Sequence, residues 1–354
     1  MPEAVPDRAV TRAGNGAPPG FGLPRAEASR AGGHLRTRDA TGDWSMKGKT
    51  VLFTGASRGM GRFAAIELAR LGAEILVVGH NQARGSAAVE AIRGTGGSAR
   101  FLRADMGDAA EVGALATAVL APGGPVHVLI HSAGGLLPAS ARTREGVDRG
   151  FAQNFLGAFL LTRLLEERLL ASAPARVIAV GSGAHRLLRT ADIGALMHPG
   201  AMDPRTGSRQ RASHQMRSYQ TAKLAVTTWV YGLARRWRGQ GLTANVLDPG
   251  IVKGKSGSEH FEGPAPMRIL MSHVIPFFAA AGMAKGSEQY VRLAADPALA
   301  GVSGRYFVSG REKSRGSSPL SLDPAVRKRI DDAAEEWAAP FLGPGQDRRV
   351  TGQR

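Results

Sequence analysis

A short run of β-branched and aromatic residues, Thr50 to Thr54, feeds directly into Gly55-Ala56-Ser57-Arg58-Gly59-Met60-Gly61 and then into a helical pattern from Arg62 to Leu71. A strand, a glycine-rich turn and a helix in that order restrict the fold sharply. The turn must be tight, the backbone must let a ligand approach, and the helix must aim its positive N-terminal end at that ligand. The spacing, Gly-x3-Gly-x-Gly, differs from the commoner dinucleotide fingerprint, and with 47 glycines in 354 residues a chance cluster in a loop is the competing reading. Its place between a strand and a helix argues against chance.

The same alternation continues along the chain. Glu74 to Val78, Phe101 to Arg103, Val126 to Ile130, Arg176 to Val180, Leu242 to Leu247 and Arg305 to Val308 read as further strands. Gln82 to Arg93, Ala109 to Leu120, Arg149 to Leu170, Tyr219 to Arg238 and Gly286 to Ala295 read as helices between them. Strands and helices alternating at this spacing imply right-handed crossovers and a doubly wound parallel sheet of seven strands, an α/β Rossmann fold in a single domain. Residues 1–45, rich in Gly, Pro and Ala, are expected to be a disordered extension, with Met46 as the native start. The catalytic domain is expected over 46–310, followed by a C-terminal tail over 311–342 and a disordered end over 343–354.

Composition enters mainly by exclusion. With no cysteine there is no disulfide, no thiol nucleophile and no cysteine-ligated metal. The longest uncharged stretch, Val112 to Ala141, is broken by Pro122-Gly123-Gly124-Pro125, and the residues before Trp44 hold no apolar run. No membrane span or signal peptide is therefore expected, and a cytoplasmic location is. The net charge of +17 would suit a nucleic acid, but it is spread along the chain. Only 184–217 is locally basic, and it lacks aromatic rings other than His, so it reads as a solvated insert rather than a nucleic-acid surface.

Tyr219-Gln220-Thr221-Ala222-Lys223 places a phenol and an ammonium four residues apart on one helix face. With 4 Tyr and 8 Lys in 354 residues, chance supplies about 0.09 such pairs. A nearby cation lowers a phenol's pKa and makes it a usable general acid or base. Ser182 follows a strand and so falls at the carboxyl end of a parallel sheet, where ligands bind. Asn154 interrupts an apolar helix, where it either staples the core or holds a water. Near the end of the second strand, Gly79-His80-Asn81 offers no carboxylate for a ribose 2′-hydroxyl, while Arg58 and Arg84 can meet a phosphate. That combination favours NADP(H) over NAD(H).

Taken in order, the glycine loop, Asp105, Ser132-Ala133-Gly134, Asn154, Ser182, Tyr219-x3-Lys223 and Pro249-Gly250 resemble the short-chain dehydrogenase/reductases over about residues 47–342. Asn154 to Thr162, the long gap from Ser182 to Tyr219, and Gly304 to Phe307 are most similar to the retinol dehydrogenase-like branch. The resemblance implies that Tyr219 exchanges the proton at the substrate oxygen, Lys223 lowers its pKa and binds the nicotinamide ribose, Ser182 bonds the same oxygen, and Asn154 anchors a water leading to Lys223. It implies that Gly55, Ser57, Arg58, Gly59, Met60 and Gly61 surround the phosphates, His80 and Asn81 the adenosine ribose, and Asp105 and Met106 the adenine. Ser132, Ala133 and Gly134 would line the ribose side, and Pro249, Gly250 and Val252 the nicotinamide; no metal is implied.

Two departures stand out: the usual Asn-Asn-Ala-Gly is His131-Ser132-Ala133-Gly134, and the Thr after Pro-Gly-x-Val-x is Gly254, leaving Lys255 or Ser256 to replace it. The family's substrate lid falls on 253–285, where Ile269, Leu270, Met271, Val274, Ile275, Phe277 and Phe278 suit a small hydrophobic carbonyl or alcohol, or equally a second subunit of a homo-oligomer. The reading is an NADP(H)-dependent oxidoreductase; its alternative is a catalytically silent member acting as a cofactor-responsive binding protein.

Overall fold

The computed structural model describes residues 44–200, 202–203, 205–250, 252–253, 260–270, 281–313 and 316–343. By its contacts the chain divides after Ala40, and every described residue belongs to the second unit. Expectations for residues 1–43, Lys255, Ser256, Met271, Val274, Ile275, Phe277, Phe278 and 344–354 fall outside these residues.

Apolar runs buried on both faces make the strands. In β1 (Thr50–Thr54) Val51, Leu52 and Phe53 are wholly buried, as are Ile75, Val77 and Val78 in β2 (Glu74–Gly79). With β3 (Ser98–Arg103), β4 (Val128–His131), β5 (Ala175–Val180), β6 (Leu242–Asp248) and β7 (Tyr306–Val308) they form seven parallel strands. An eighth, β8 (Arg311–Glu312), adds antiparallel to β7, so the sheet runs β8-β7-β6-β5-β4-β1-β2-β3. The strand order reverses between β1 and β4, which is where a doubly wound sheet opens its ligand crevice.

Helices cover both faces, as parallel crossovers require. On one side lie α1 (Gly59–Arg70), α2 (Gln82–Arg93) and α6 (Met283–Ala295), which bury Leu68, Ile92 and Tyr290 against the sheet. On the other lie α3 (Ala109–Leu120), α4 (Gly157–Ala171), α5 (Ser208–Arg236) and α7 (Pro324–Ala338), with Phe155, Trp229, Trp237 and Ile330 in their shared core. Asn81 and Asp108 cap α2 and α3 by accepting from Arg84 N–H and from Ala110 and Glu111 N–H. Those caps explain why both helices begin where the sequence pattern puts them.

Two elements differ from expectation. The helix carrying Tyr219 begins at Ser208, eleven residues earlier than expected, because nothing between Ser208 and Tyr231 breaks a helix. The basic insert 184–217 is accordingly not one solvated loop: it holds a 3-10 turn (Gly183–Leu187), a short helix (Gly194–Met197) and the first turns of α5. His185, fully buried, pins its start between the Ser182 carbonyl at 2.5 Å and the Ser318 N–H at 3.1 Å. The C-terminal tail contributes α7, a packed helix of the core.

Candidate active site

The crevice at the carboxyl ends of β1, β4 and β5 gathers most of the expected site. Gly55 turns the chain out of β1 at φ +79°, a conformation a side chain resists, and a Cβ there would stand 2.7–2.8 Å from the Ser132 and Ala133 backbone. A Cβ on Gly61 would stand 2.5 Å from the Gly55 carbonyl. These two positions bring α1 close under the loop. Thr54 Oγ1 accepts from the Ser132 and Ala133 N–H groups at 3.1 and 3.3 Å, locking β1 to the Ser132-Ala133-Gly134 turn. Ser57 Oγ lies against Gly79, bringing the loop to the end of β2. Arg58 and His80 are exposed at this rim, while Met60 lies half-buried.

Several side chains expected to face the cofactor have other partners in this structure. The Asn81 amide caps α2. The Asp105 carboxylate accepts from Gly107 N–H at 2.8 Å and pairs with Arg149 at 2.5 Å. Met106 is buried. Ser132 Oγ lies 3.0 Å from the Tyr290 hydroxyl. Gly250 N–H donates to Asp248 Oδ1 at 2.9 Å, and Gln289 reaches the Pro249 carbonyl at 3.5 Å. Val252 pairs along the backbone with Ala281, tying the segment after β6 to the start of α6.

Deeper in, the Ser182 hydroxyl lies close enough to the Tyr219 phenol to favour its ionised form. Lys223, one turn further along α5, holds its Nζ 5.5 Å from the Tyr219 ring centroid and donates to the Val180 carbonyl at 2.8 Å. Burial pulls the Lys223 pKa down to about 8, opposed by the nearby Asp248 carboxylate. Burial also pushes the Tyr219 phenol up, with Asp248 adding to the rise and Ser182 opposing it. That corrects the expectation of a phenol already lowered by its lysine: the ammonium is committed to a carbonyl and faces the ring, so desolvation dominates.

Asn154 sits in a π turn (Ala152–Leu156), a widened helical turn of the kind that often marks functional sites. Its Nδ2 donates to the Gly135 and Gly150 carbonyls, both at 2.8 Å, and its Oδ1 accepts from Gly135 N–H at 3.0 Å. The side chain therefore staples the turn after β4 to the helix.

A buried network in front of Tyr219 escaped the sequence reading. Asp148 accepts from Ser218 Oγ at 2.5 Å and from Phe151 N–H at 2.8 Å, and His214 Nε2 lies 2.8 Å from it. Burial alone would raise the Asp148 carboxyl, but the bonds from His214, Ser218 and Phe151 hold it below its ordinary value. Gln215 donates to the Leu137 and His260 carbonyls at 2.7 and 2.6 Å and accepts from Glu262 N–H at 3.1 Å. Asp148 stood one residue before an expected helix, a cap signal, and His214 and Ser218 are four apart. His214 falls in the basic insert, whose composition reads as a solvated loop, so the sequence pattern does not show the pairing.

On the open side of Tyr219, Leu136, Ala212 and Phe261 form a small apolar cluster, with Met216 and the tyrosine packed on it. Met267, Ile269 and Leu270 stand exposed at and just beyond the short helix Ala265–Ile269.

Residues 49–190 match the family model for short chain dehydrogenase. The chain is 33% identical over 305 residues to "Dehydrogenase/reductase SDR family member 13" from Bos taurus, covering 86% of this chain and 76% of that protein. It belongs to the short-chain dehydrogenase/reductase family. Retinol dehydrogenase 14 from Mus musculus is 32% identical over 302 residues, covering 82% of this chain and 86% of that protein, which places the chain in the retinol dehydrogenase-like branch. Among solved structures, a Beutenbergia cavernae protein assigned as an NAD(P)-dependent gluconate 5-dehydrogenase, with NADP bound at low occupancy, superposes with a TM-score of 0.57 at 25% identity, over 76% of this chain and 97% of that one. The protein is thus an NAD(P)-dependent oxidoreductase acting on CH–OH and C=O groups. Among the described residues, no helix is long and apolar enough to cross a membrane.

Proposed function

We propose that the protein is an NADP(H)-dependent oxidoreductase of hydrophobic ketones, aldehydes or alcohols, with Tyr219 as general acid and base. The observation that carries this reading is the meeting of Ser182, Tyr219 and Lys223 at the carboxyl end of β5. The glycine loop supports a dinucleotide: the close backbone approach at Gly55 and Gly61 forms a cradle that side chains would fill. Gly55, Ser57, Arg58, Gly59, Met60 and Gly61 would hold its phosphates, His80 and Asn81 its adenosine ribose, Asp105 and Met106 its adenine, and Ser132 to Gly134 with Pro249, Gly250 and Val252 its nicotinamide end.

When bound, the nicotinamide supplies or accepts the hydride. Ser182 and Tyr219 direct two hydroxyls at the substrate oxygen and polarise the carbonyl without a metal. In reduction Tyr219 donates its proton to that oxygen; in oxidation its phenolate removes it. Lys223 binds the ribose and stabilises the phenolate, offsetting the burial that otherwise keeps the phenol protonated. Leu136, Met216 and Phe261 beside Tyr219, and the exposed Met267, Ile269 and Leu270, support a hydrophobic substrate. The name of the retinol dehydrogenase relative points the same way. The exposed Arg58 and the missing carboxylate at Gly79-His80-Asn81 support the 2′-phosphate. Cytoplasmic residence is part of this reading, and cell fractionation checks it.

Following NADPH absorbance with hydrophobic aldehydes and ketones of increasing length, retinal among them, tests the proposal. Turnover is expected, with Tyr219→Phe slower by about 10²–10⁴-fold. Full activity in Tyr219→Phe overturns the mechanism, and a higher kcat/KM with NADH than with NADPH overturns the cofactor preference.

A further inference from the structure

Between β4, α5 and the π turn lies a cavity of about 10 Å³, the space of one water-sized sphere. Asn154, Lys223, Thr54, Val180 and His131 are among its walls, and His131 and Lys223 are its only titratable lining residues. Most of the polar atoms here are committed. The Asn154 amide is spent on Gly135 and Gly150, Lys223 Nζ reaches Val180, and Thr54 Oγ1 serves Ser132, Ala133 and the Ile130 carbonyl.

His131 differs. It is 6% exposed, and its Nε2 shares a hydrogen bond with Thr162 Oγ1 of α4 at 2.8 Å while its ring lies 5.9 Å from Trp229 of α5. Its Nδ1 is buried with no partner among the described residues. A buried ring nitrogen without a partner, in the wall of a water-sized cavity, calls for a ligand of that size with a hydrogen bond to give or take.

We propose that His131 is a positioning residue of the proton-transfer chain: its Nδ1, together with Lys223, holds a single water in this cavity and so steadies the ammonium on which Tyr219 depends. This rests on the catalytic reading above. A neutral ring suits the task. Burial holds the His131 pKa down at about 3, so at working pH the imidazole neither repels the Lys223 ammonium nor competes for its proton. The imidazole also accounts for the departure at this position, where the family's usual asparagine is replaced by a side chain that reaches Thr162 and still leaves one nitrogen for the cavity.

A high-resolution crystal structure of the full chain with NADP is expected to show one water within hydrogen-bond distance of both His131 Nδ1 and Lys223 Nζ. A dry cavity, or a water that touches only one of them, overturns the proposal whether or not the protein turns over. In kinetics, His131→Leu is expected to slow alcohol oxidation about tenfold or more, move the acid limb of the kcat–pH profile up by about half a unit or more, and raise the solvent deuterium isotope effect. His131→Asn should restore all three toward wild type. A His131→Leu enzyme with the wild-type limb and isotope effect overturns the proposal, because a residue that only packs against Thr162 and Trp229 would lower stability without moving either. Turnover failing in wild type, with the water in place, would instead count against the catalytic reading alone.

Discussion

At the nucleotide end of the crevice the site is built of backbone: Gly55 and Gly61 admit no Cβ, and Thr54 ties two main-chain N–H groups to β1. At the substrate end it is built of side chains from distant segments, with Asp148 reaching His214 and Ser218, and Gln215 reaching Leu137, His260 and Glu262. The first kind of site has no slack, since a main-chain clash can be relieved only by moving a strand or a helix. The second can lose one bond and keep its outline. Damage at the nucleotide end should therefore appear as lost folding and cofactor binding, and damage at the substrate end as altered kinetics in a folded protein.

The largest expected effect lies at Gly55. An alanine there combines an unfavourable φ of +79° with main-chain contacts under 3 Å, a cost of about 3 kcal/mol or more. Thermal unfolding of Gly55→Ala should drop by about 5–10 °C, and NADPH should no longer raise Tm. A Gly55→Ala protein with wild-type Tm and NADPH affinity would dissolve the contrast between the two ends.

Lys223 joins the two ends, and there stability and function should part. Its pKa is pulled from 10.5 down to about 8 by burial, so between these values the unfolded chain binds a proton that the folded one does not. The folded state carries a penalty of about 3 kcal/mol below pH 8, relieved as pH rises to 10.5. Lys223→Met should therefore lose activity about 10²–10⁴-fold while its Tm stays level or rises, most clearly at and below pH 8. A marked fall in Tm at pH 7 would mean that the bond to Val180 outweighs the burial.

What could be read from the sequence follows the same division. The glycine loop, α2 and α3 are local: a few adjacent residues set each turn or cap, and the structure gives α2 and α3 the bounds their periodicity predicts. Ser182, Asn154, Tyr219 and Lys223 were legible as chemically apt residues at sheet ends and on one helix face. The partners that orient them were not. Asp148 lies 66 residues from His214, and Asp248, whose charge acts on both Tyr219 and Lys223, stands just past a run, Leu242 to Leu247, that reads as an ordinary core strand. The electrostatic sign at Tyr219 was illegible for the same reason: it depends on burial and on where the Lys223 ammonium points, neither of which a spacing encodes.

Asp148→Asn tests the substrate end at moderate strength. The amide keeps the size of the carboxylate and one acceptor oxygen for Ser218 and Phe151, but it loses the charge that strengthens the bond from Ser218 and the second acceptor that holds His214. Bonds to a charged group contribute about 1.5–3 kcal/mol, so some Tm is lost. The telling measurement is kinetic: kcat should fall up to about tenfold as Tyr219, next to Ser218, loses its fixed pose, while the KM for NADPH stays put. A change confined to the KM for NADPH would place the network at the wrong end of the crevice.

The smallest effect, and the most selective, is expected from Gln215→Ala. Gln215 is 2% exposed, lies one helical turn before Tyr219, and alone joins the Leu137 and His260 carbonyls to the Glu262 N–H through one side chain. Removing it frees Leu136 and Phe261, which sit beside those partners and form the apolar cluster against Tyr219, without touching any proton-transfer group. The KM for a hydrophobic carbonyl should rise about three- to tenfold with kcat little changed, the pattern of lost binding shared by ground and transition states. If these contacts shape the substrate pocket, the rise should grow with the length of the carbonyl's apolar chain, since a longer chain draws more of its binding from Leu136 and Phe261. An equal rise for short and long carbonyls would mean that Gln215 orders the loop in general and that the apolar cluster is core rather than pocket.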